Sequence, residues 1–337
     1  MTDLPEDALE IARAAVLDAV AVCRRAARRL VALGQVAKAD DSPVTVADFA
    51  AQAVIVRGLR RLGAQPILGE ERAELLLQPE HASLCDAVVE AVRAVWPDAT
   101  PDAVLEAIDG ASGAPDPAGH WVVDPIDGTR GFVRGRQYAV CLAWIADARP
   151  RLAVMGCPNL PRPLDARFDL ADPEGTLLLA REGTPLRFGP AVPGAELRAV
   201  DPVPSERPST LVVTHSFDGT YSRLGDLERV LAKLDGPLER RPAGSQAKYG
   251  IVARGQAHAY LRLPKKRHRA EHVWDHAPGW LCAITAGMTV TDLAGRPFDF
   301  STGARLANNY GVVCARPSVH GELLAAIEAL GLHRRDG

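Results

Sequence analysis

A short apolar segment in the middle of the chain, Trp121 to Val123, is followed at once by the sequence Asp124-Pro125-Ile126-Asp127-Gly128-Thr129. Such a segment is typical of a buried strand, and the ligands of α/β sheets collect where strands end. Proline restricts the backbone of the turn that follows, and glycine allows a ligand to approach it closely. The turn can therefore direct Asp124, the Ile126 carbonyl and Asp127 at one point, which describes a site for a hard cation.

Taken alone, these residues also allow a simpler interpretation. An Asp-Gly pair is common in ordinary turns, and Asp124 could cap a turn or a helix. Further carboxylates stand where a fold would not ordinarily need them, at Asp48, at Glu70-Glu71 and at Asp275. The cation site therefore depends on whether these distant residues join the turn.

The chain has 337 residues, more than one hydrophobic core usually holds, so we expect one large domain or two packed subdomains. Strands and helices alternate in the second half, which predicts the α/β class with layered helices and sheets. Pro- and Gly-rich sequence from Cys157 to Arg207 contains the best boundary, near Pro202 to Pro208. We therefore predict subdomains at residues 1–205 and 206–337.

Hydrophobic periodicity predicts the main elements. The predicted helices are 6–33, Ala47 to Arg61, Ser83 to Val95, Leu224 to Leu234 and Val273 to Ala286. The predicted strands are Pro66 to Gly69, Trp121 to Val123, Tyr138 to Ala146, Thr210 to Thr214 and Ala257 to Leu263. Residues 97–119 are predicted as a surface excursion with one helical turn near Val104 to Ile108, and the stretch from Cys157 to Arg207 as hairpins and loops.

Charge and composition exclude several classes of protein. A net charge of −3 and a pI near 6.3 argue against binding to nucleic acid through many phosphate contacts. The N-terminus is acidic and the apolar stretches are too short to span a bilayer, so we expect a cytoplasmic protein with no membrane partner. The six cysteines form no C-x-x-C pair, which predicts buried free thiols rather than disulfides or a zinc site.

Several motifs, in this order, resemble those of the inositol monophosphatase superfamily, and more specifically its 3′(2′),5′-bisphosphate nucleotidase branch. The superfamily motifs are Ser42-Pro43-Val44-Thr45-Val46-Ala47-Asp48, Gly69-Glu70-Glu71, Asp124 to Phe132, Trp274-Asp275-His276 and Val290-Thr291-Asp292. The branch is indicated by Arg134-Gly135, Gln137-Tyr138-Ala139-Val140 and Ser245-Gln246-Ala247-Lys248-Tyr249. The resemblance implies alternating layers of helix and sheet in two packed subdomains, with most metal ligands in the first.

The resemblance also implies a role for each site residue. Glu70, Asp124, Asp127, Asp275 and the Ile126 carbonyl would hold two or three Mg²⁺ ions, and Asp48 with Thr129 would position and deprotonate the attacking water. The substrate would contact Gly128, Thr129, His215, Ser245, Lys248, Arg262 and Asp275. Asp275 is distant from Asp127 in sequence, so the second half must fold back onto the first, and the site would lie between the subdomains.

The implied substrate is a small bisphosphorylated nucleotide, adenosine 3′,5′-bisphosphate, with 3′-phosphoadenylyl sulfate as a second candidate. Lys248 and Arg262 suit a second phosphate, which an inositol monophosphate lacks. Two alternatives remain open: an inositol monophosphatase or inositol polyphosphate 1-phosphatase, and a nucleotide-binding protein without turnover. His215 could also be a packed histidine, and Arg262 could belong to the solvated basic run that includes Lys265, Lys266, Arg267 and Arg269.

The sequence departs from the pattern of the resembling family in two places. Arg130 stands where lysine is common, and Thr285-Ala286-Gly287-Met288 stands where Glu-Ala-Gly-Gly is common. Neither departure removes an implied metal ligand. Pro278 lies within the predicted helix that follows Asp275, and proline is tolerated only in the first turn of a helix. We therefore expect Asp275 near a helix N-terminus, which favours anion binding.

Overall fold

The computed structural model describes residues 4–28, 36–37, 43–168, 172–204, 206–217, 219, 222–265 and 270–334. The first sheet has seven strands in the order β3-β4-β5-β6-β7-β8-β9. Its strands are β3 (Ile67–Gly69), β4 (His120–Asp127), β5 (Ala139–Ala146), β6 (Arg149–Cys157), β7 (Thr176–Arg181), β8 (Arg187–Pro190) and β9 (Arg198–Ala199). Only the pair β3 and β4 is parallel, so most of this sheet is a meander of hairpins.

A second sheet has five strands in the order β11-β10-β12-β14-β13. Its strands are β10 (Leu211–His215), β11 (Leu238–Pro242), β12 (Ala259–Arg262), β13 (Thr289–Thr291) and β14 (Val312–Ala315). Strand β10 pairs in parallel with both β11 and β12, and the remaining pairs are antiparallel. A separate antiparallel pair is formed by β1 (Val36–Ala37) and β2 (Pro43–Val44).

Nine helices of the described ranges flank these sheets. They are α1 (Ala8–Ala27), α2 (Val46–Leu59), α3 (Ala82–Val92), α4 (Pro101–Asp109), α5 (Thr129–Val133), α6 (Leu224–Leu231), α7 (Ala247–Ala253), α8 (Ala277–Thr285) and α9 (Pro317–Ala329). Helices α1 and α2 pack on each other so closely that a Cβ on Gly58 would lie 2.7 Å from the Cβ of Ala15. Only glycine allows this approach.

The elements form alternating layers around three hydrophobic clusters. Helices α1 and α2 cover one face of the first sheet, while α7 and α8 lie between its other face and the second sheet. The outer face of the second sheet is covered by α6 and α9. This arrangement confirms the predicted α/β class with layered helices and sheets.

The chain passes from the first sheet to the second between Ala199 and Leu211, a stretch that includes the predicted boundary. Residues of α7 and α8, such as Ile251 and Leu281, share one core cluster with Met155 of the first sheet. The core is therefore continuous across this boundary, and the division into two subdomains stays a prediction.

Some predicted elements differ from the observed ones. Strand β4 does not end at Asp124 but continues through Pro125 to Asp127, because the register against β5 shifts between Asp124 and Asp127. A bulge of this kind leaves the proline nitrogen outside the ladder, which is how a central strand tolerates proline. Residues 101–109 form a full helix rather than one turn, with Val104 and Ile108 buried.

The sequence prediction missed the strands β1, β2, β6, β11, β13 and β14 and the helices α5, α7 and α9. It also gave only one turn of α4 and no bounds for β7, β8 and β9. The first predicted helix begins at Ala8 and ends at Ala27, and its predicted last residues, 29–33, lie outside the described residues. Ser42, Lys266, Arg267 and Arg269 also lie outside them. The cysteines are free, and five of the six are buried, as predicted. In the described ranges, no helix combines the length and apolar character needed to cross a membrane.

Candidate active site

The N-terminus of α2 holds Asp48 in a fixed position. Thr45 is the N-cap residue, and its backbone N–H and hydroxyl donate to Asp48 Oδ2 at 2.8 and 2.7 Å. The sequence Thr45-Val46-Ala47-Asp48 is thus a capping box, in which each end of the first turn satisfies the other. Asp48 is only 1% exposed, so its orientation is set by local sequence before any ligand binds.

The end of β4 brings Thr129 to Asp48. Gly128 adopts the left-handed conformation, with φ 90°, and starts the short helix α5. The Thr129 hydroxyl lies 3.1 Å from Asp48 Oδ1 and 3.2 Å from the Ile126 carbonyl, so its single proton can go to either oxygen. The structure therefore brings together Asp48, Ile126 and Thr129, three of the residues that the sequence predicted for the site.

Asp127 faces the loop before α7. The backbone N–H of Gln246 donates to Asp127 Oδ2 at 2.5 Å, and a Cβ on Gly128 would lie 3.0 Å from the Cβ of Ser245. Ser245 itself has a φ of 56°, a left-handed conformation that is unusual for serine. The turn after β4 and the loop before α7 are thus in direct contact, which joins the two halves of the chain at the site.

Asp275 lies at the other side of this contact. Helix α8 begins at Ala277 with Pro278 in its first turn, as predicted, so Asp275 immediately precedes the helix N-terminus. Its Oδ2 accepts a hydrogen bond from the backbone N–H of His272 at 3.0 Å. The Gln246 side chain bonds the Trp274 carbonyl at 2.9 Å and the Gly279 N–H at 3.0 Å, which ties the start of α7 to the start of α8.

Burial raises the pKa of two carboxylates of the site. Loss of solvation raises the pKa of Asp275 well above its ordinary value, and the charges of Asp127, Glu271 and Glu70 raise it further. Loss of solvation also raises the pKa of Asp127, while Lys248 and Arg262 lower it. Like charges gathered in this way are stabilised by a cation.

Glu70 and Asp124 complete the set of carboxylates. Glu70 follows β3, whose end is held by Gln52, a buried side chain that bonds the Glu71 N–H at 2.9 Å and the Glu71 carbonyl at 2.7 Å. Asp124 is 2% exposed and lies opposite Cys141 in the ladder. Burial raises the pKa of Cys141, and Asp127 and Asp124 raise it further. Within the described ranges, no three acidic, histidine or cysteine side chains are close enough, as they stand, to hold a metal ion.

Lys248 and His215 lie on the side of the site that the second half of the chain forms. The Lys248 ammonium is buried and donates to the Ser245 carbonyl at 2.6 Å. Burial lowers the pKa of Lys248 to about 7, against the effect of Asp127. His215 ends β10, and burial lowers its pKa, with Arg240 and Lys248 lowering it further. Lys248 is therefore near enough to His215 to affect its protonation.

Arg262 does not belong to a solvated basic run. It forms an ion pair with Glu271, whose other oxygen lies 3.2 Å from His276 Nε2. The other ring nitrogen of His276 lies 2.9 Å from the Tyr249 hydroxyl. Arg262 and His276 hold the pKa of Glu271 near 2 despite its burial, so the pair is charged at neutral pH.

Sequence reasoning missed the role of Glu271, and it named Gln246 and Tyr249 only as motif residues. The available signal for Glu271 was its position as an acid two residues after the basic run from Lys265 to Arg269. Such a position alone does not say which basic residue is paired. His276, which could have been a packing residue, is a buried link between Tyr249 and Glu271.

The chain is similar to known proteins over most of its length. A model described as the inositol monophosphatase family matches residues 4–331. A 3′(2′),5′-bisphosphate nucleotidase of Emericella nidulans is 35% identical over 323 residues, covering 88% of this chain and 91% of that protein. One from Schizosaccharomyces pombe is 34% identical over 319 residues, covering 89% and 87%.

Solved structures share the fold at low identity. The extragenic suppressor protein suhB from Bartonella henselae has a TM-score of 0.65 and 18% identity, covering 95% of this chain and 97% of that one. An IMPase from Thermotoga maritima also has a TM-score of 0.65, with 16% identity, covering 96% and 98%. These similarities extend over both sheets and the layer between them.

Proposed function

The chain belongs to the inositol monophosphatase family, and we propose that this phosphatase is a Mg²⁺-dependent 3′(2′),5′-bisphosphate nucleotidase. Its substrate would be adenosine 3′,5′-bisphosphate, converted to AMP and phosphate, with 3′-phosphoadenylyl sulfate as a second substrate. The observation that carries the proposal is the contact between two unlike halves of one site. Carboxylates with Thr129 lie on one side, and Lys248 with His215 on the other.

The oxygen donors fit Mg²⁺. Asp124, Asp127, Asp275, Glu70 and the Ile126 carbonyl are all hard ligands, which magnesium prefers. The raised pKa of Asp275 supports this assignment, because a carboxylate crowded by Asp127 and Glu70 gains stability from a bound cation. Bound Mg²⁺ lowers the pKa of a water and neutralises charge on the phosphate. The carboxylates would need to turn toward one another to ligate an ion.

Asp48 and Thr129 are placed to handle a proton. Two donors from Thr45 hold Asp48 Oδ2, while Oδ1 accepts from the Thr129 hydroxyl. When the Thr129 proton points at Asp48, the hydroxyl oxygen can accept a hydrogen bond from the attacking water. The water proton would pass to Thr129, and the Thr129 proton to Asp48, so that Asp48 acts as the general base.

The substrate has a second phosphate, which is not hydrolysed. Basic side chains outside the set of metal ligands would hold it. Lys248 is already desolvated, so an anion beside it would favour its protonated form. His215 and Ser245 lie beside Lys248, and the Arg262 guanidinium is held by Glu271 on the same side. A buried site of this kind discriminates against a substrate that lacks the second phosphate, because its charge is then left unpaired.

Phosphate release by the purified protein with Mg²⁺ tests the proposal. The substrates are adenosine 3′,5′-bisphosphate, 3′-phosphoadenylyl sulfate, 3′-AMP and inositol 1-phosphate. We expect the bisphosphate to be preferred over 3′-AMP, and Lys248→Met to reduce that preference by about ten- to a hundredfold, the worth of a charge-assisted hydrogen bond. Preferred turnover of inositol phosphates contradicts the proposed substrate, and tight nucleotide binding without phosphate release contradicts turnover.

A further inference from the structure

A small cavity of about 160 Å³ lies where the chain passes from the first sheet to the second. Its walls include Phe188 and Arg198 from the first sheet, the connecting residues 200–204, and Arg254 and Arg316 from the second half. None of the site residues described above lines it. The cavity is therefore a separate feature at the junction of the two sheets.

Three arginines line this cavity, of which Arg198 is exposed and Arg254 is buried. Arg198 and Arg254 both lie over the ring of Phe188, at 4.7 and 5.4 Å from its centroid, and Arg316 lines the same cavity. Asp201 is the only acidic residue among the described residues that line it. No ion pair in the described ranges joins any of the three arginines to a carboxylate.

This arrangement costs the folded protein free energy. Burial lowers the pKa of Arg254 to about 10, although Cys157 opposes the effect, and the nearby charge of Arg198 lowers it further. Burial also lowers the pKa of Arg316. Arg254 is only 4% exposed, and its terminal nitrogens donate to two carbonyls, to Thr176 and to Gln256. The Nε atoms of Arg254 and Arg316 are buried and have no hydrogen-bond partner. Unpaired buried donors with like charges are relieved by an anion.

The shape and dipole of the cavity indicate the kind of anion. Arg316 is the N-cap residue of α9, a helix of 13 residues, so the positive end of the helix dipole lies at the wall. The volume is below the roughly 300 Å³ at which sites for larger ligands begin, but it is enough for a few water molecules. A tetrahedral inorganic anion fits this space, whereas a whole nucleotide does not.

We propose that this cavity is a second anion site, which takes inorganic phosphate or sulfate between Arg198, Arg254 and Arg316. Arginine forks suit tetrahedral oxyanions, and Arg198 and Arg316 would supply them. Arg254, whose terminal nitrogens are bonded within the protein, would supply its charge and its Nε. A bound anion joins the first sheet, the connection and the start of α9. Because only the folded chain assembles this set, binding stabilises the folded state.

Calorimetric titration in EDTA tests the proposal, with sulfate in one arm and inorganic phosphate in the other, at constant ionic strength set by chloride. Arg198→Gln and Arg316→Gln each remove one guanidinium, and we expect each to weaken anion binding by about tenfold. Arg181→Gln, an exposed arginine on β7 outside the cavity, is the matched control and should bind as the wild type does. Arg254 is left intact because it also bonds the Pro161 carbonyl at 3.1 Å.

Lys248→Met separates this cavity from the candidate active site and should leave the sulfate affinity unchanged. The proposal fails if the wild type shows no saturable binding of either anion, or if Arg198→Gln and Arg316→Gln bind the anion as tightly as Arg181→Gln does. It also fails if Lys248→Met alone abolishes binding, which would place the anion at the candidate active site. A difference between the sulfate and phosphate arms identifies which of the two anions the arginines prefer.

Discussion

In the first half of the candidate site, Asp48 is held by the backbone N–H and hydroxyl of Thr45, and the Thr129 hydroxyl lies between Asp48 and the Ile126 carbonyl. In the second half, the charged groups hold one another: Arg262 pairs with Glu271, and Lys248 donates to the carbonyl of Ser245. The first half is thus rigid and locally determined, whereas the second is a network drawn from several elements.

The difference indicates a division of labour. Proton transfer needs oxygens at fixed distances, and the capping box and the bulge in β4 provide them. In the proposed function, recognition of a second phosphate would need positive charge that is partly desolvated but kept in place, and this charged network would provide it. Asp275 and the contact of Gly128 with Ser245 connect the halves, so changes there test the comparison most directly.

The largest expected effect is that of Asp275→Asn. Removal of a carboxylate that would hold Mg²⁺ should lower kcat by about a thousandfold, because a bound metal stabilises the transition state by several kcal/mol. In EDTA the variant should be no less stable than the wild type, since a charge crowded by Asp127 is removed. Phosphate release and thermal unfolding, each with and without Mg²⁺, measure the two effects.

Asp292→Asn is the control for this prediction. Asp292 is also buried, but its Oδ1 accepts hydrogen bonds from the N–H groups of Ala294 and Arg296 at 2.9 Å each. The Asp292→Asn variant should lose about 1 to 2 kcal/mol of stability and keep the kcat of the wild type. Undiminished turnover in Asp275→Asn would contradict the placement of Asp275 among the metal ligands.

An intermediate effect is expected for Gly128→Ala, which disturbs the contact between the halves. The new Cβ would meet Ser245 at 3.0 Å in a left-handed conformation, so we expect a loss of about 2 kcal/mol and a fall in kcat of about tenfold. Gly135→Ala is the matched control, because Gly135 is also left-handed but no described atom lies within 4 Å of its added Cβ. It should lose about 1 kcal/mol and no activity, and equal kinetic losses would show that contact with Ser245 is irrelevant.

The smallest expected effect concerns pH and the second half. His258 Nδ1 accepts a hydrogen bond from the Val212 N–H at 2.9 Å, and burial, with Arg316 and Arg241, lowers its pKa from 6.5 to about 4. The unfolded chain therefore binds more protons than the folded one between these values. The stability contributed by neutral His258 is full above pH 6.5 and is lost as the pH falls toward 4.

Urea unfolding at pH 7 and pH 4.5 measures this loss in the wild type and in His258→Asn, which keeps an acceptor but cannot gain a proton. Because His258 is half-buried, solvent screens the effect. We expect the difference in unfolding free energy between the wild type and His258→Asn to change by about 1 kcal/mol from pH 7 to pH 4.5. His81→Asn, at the start of α3, is the control and should show no such change. A pH dependence equal in all three proteins would exclude His258 as the source.

The parts of the fold that sequence predicted are those set by nearby residues. The capping box from Thr45 to Asp48 has a four-residue pattern, and Pro278 placed the start of α8 correctly because proline is excluded from later turns. By contrast, β4 was expected to end before Pro125. Its continuation depends on the register against β5, which no local pattern encodes.

The candidate site divides in the same way. The sequence by itself determined which side chains could act, because Asp48, Asp127 and Asp275 lie in recognisable motifs, and it determined the layered α/β fold through its alternating elements. Only the tertiary structure decided that Glu271 holds Arg262, that Lys248 is buried beside the Ser245 carbonyl, and that three arginines meet in one cavity. Pairing and burial depend on elements that are distant in sequence, and desolvation, which sets their charges, exists only once those elements have packed.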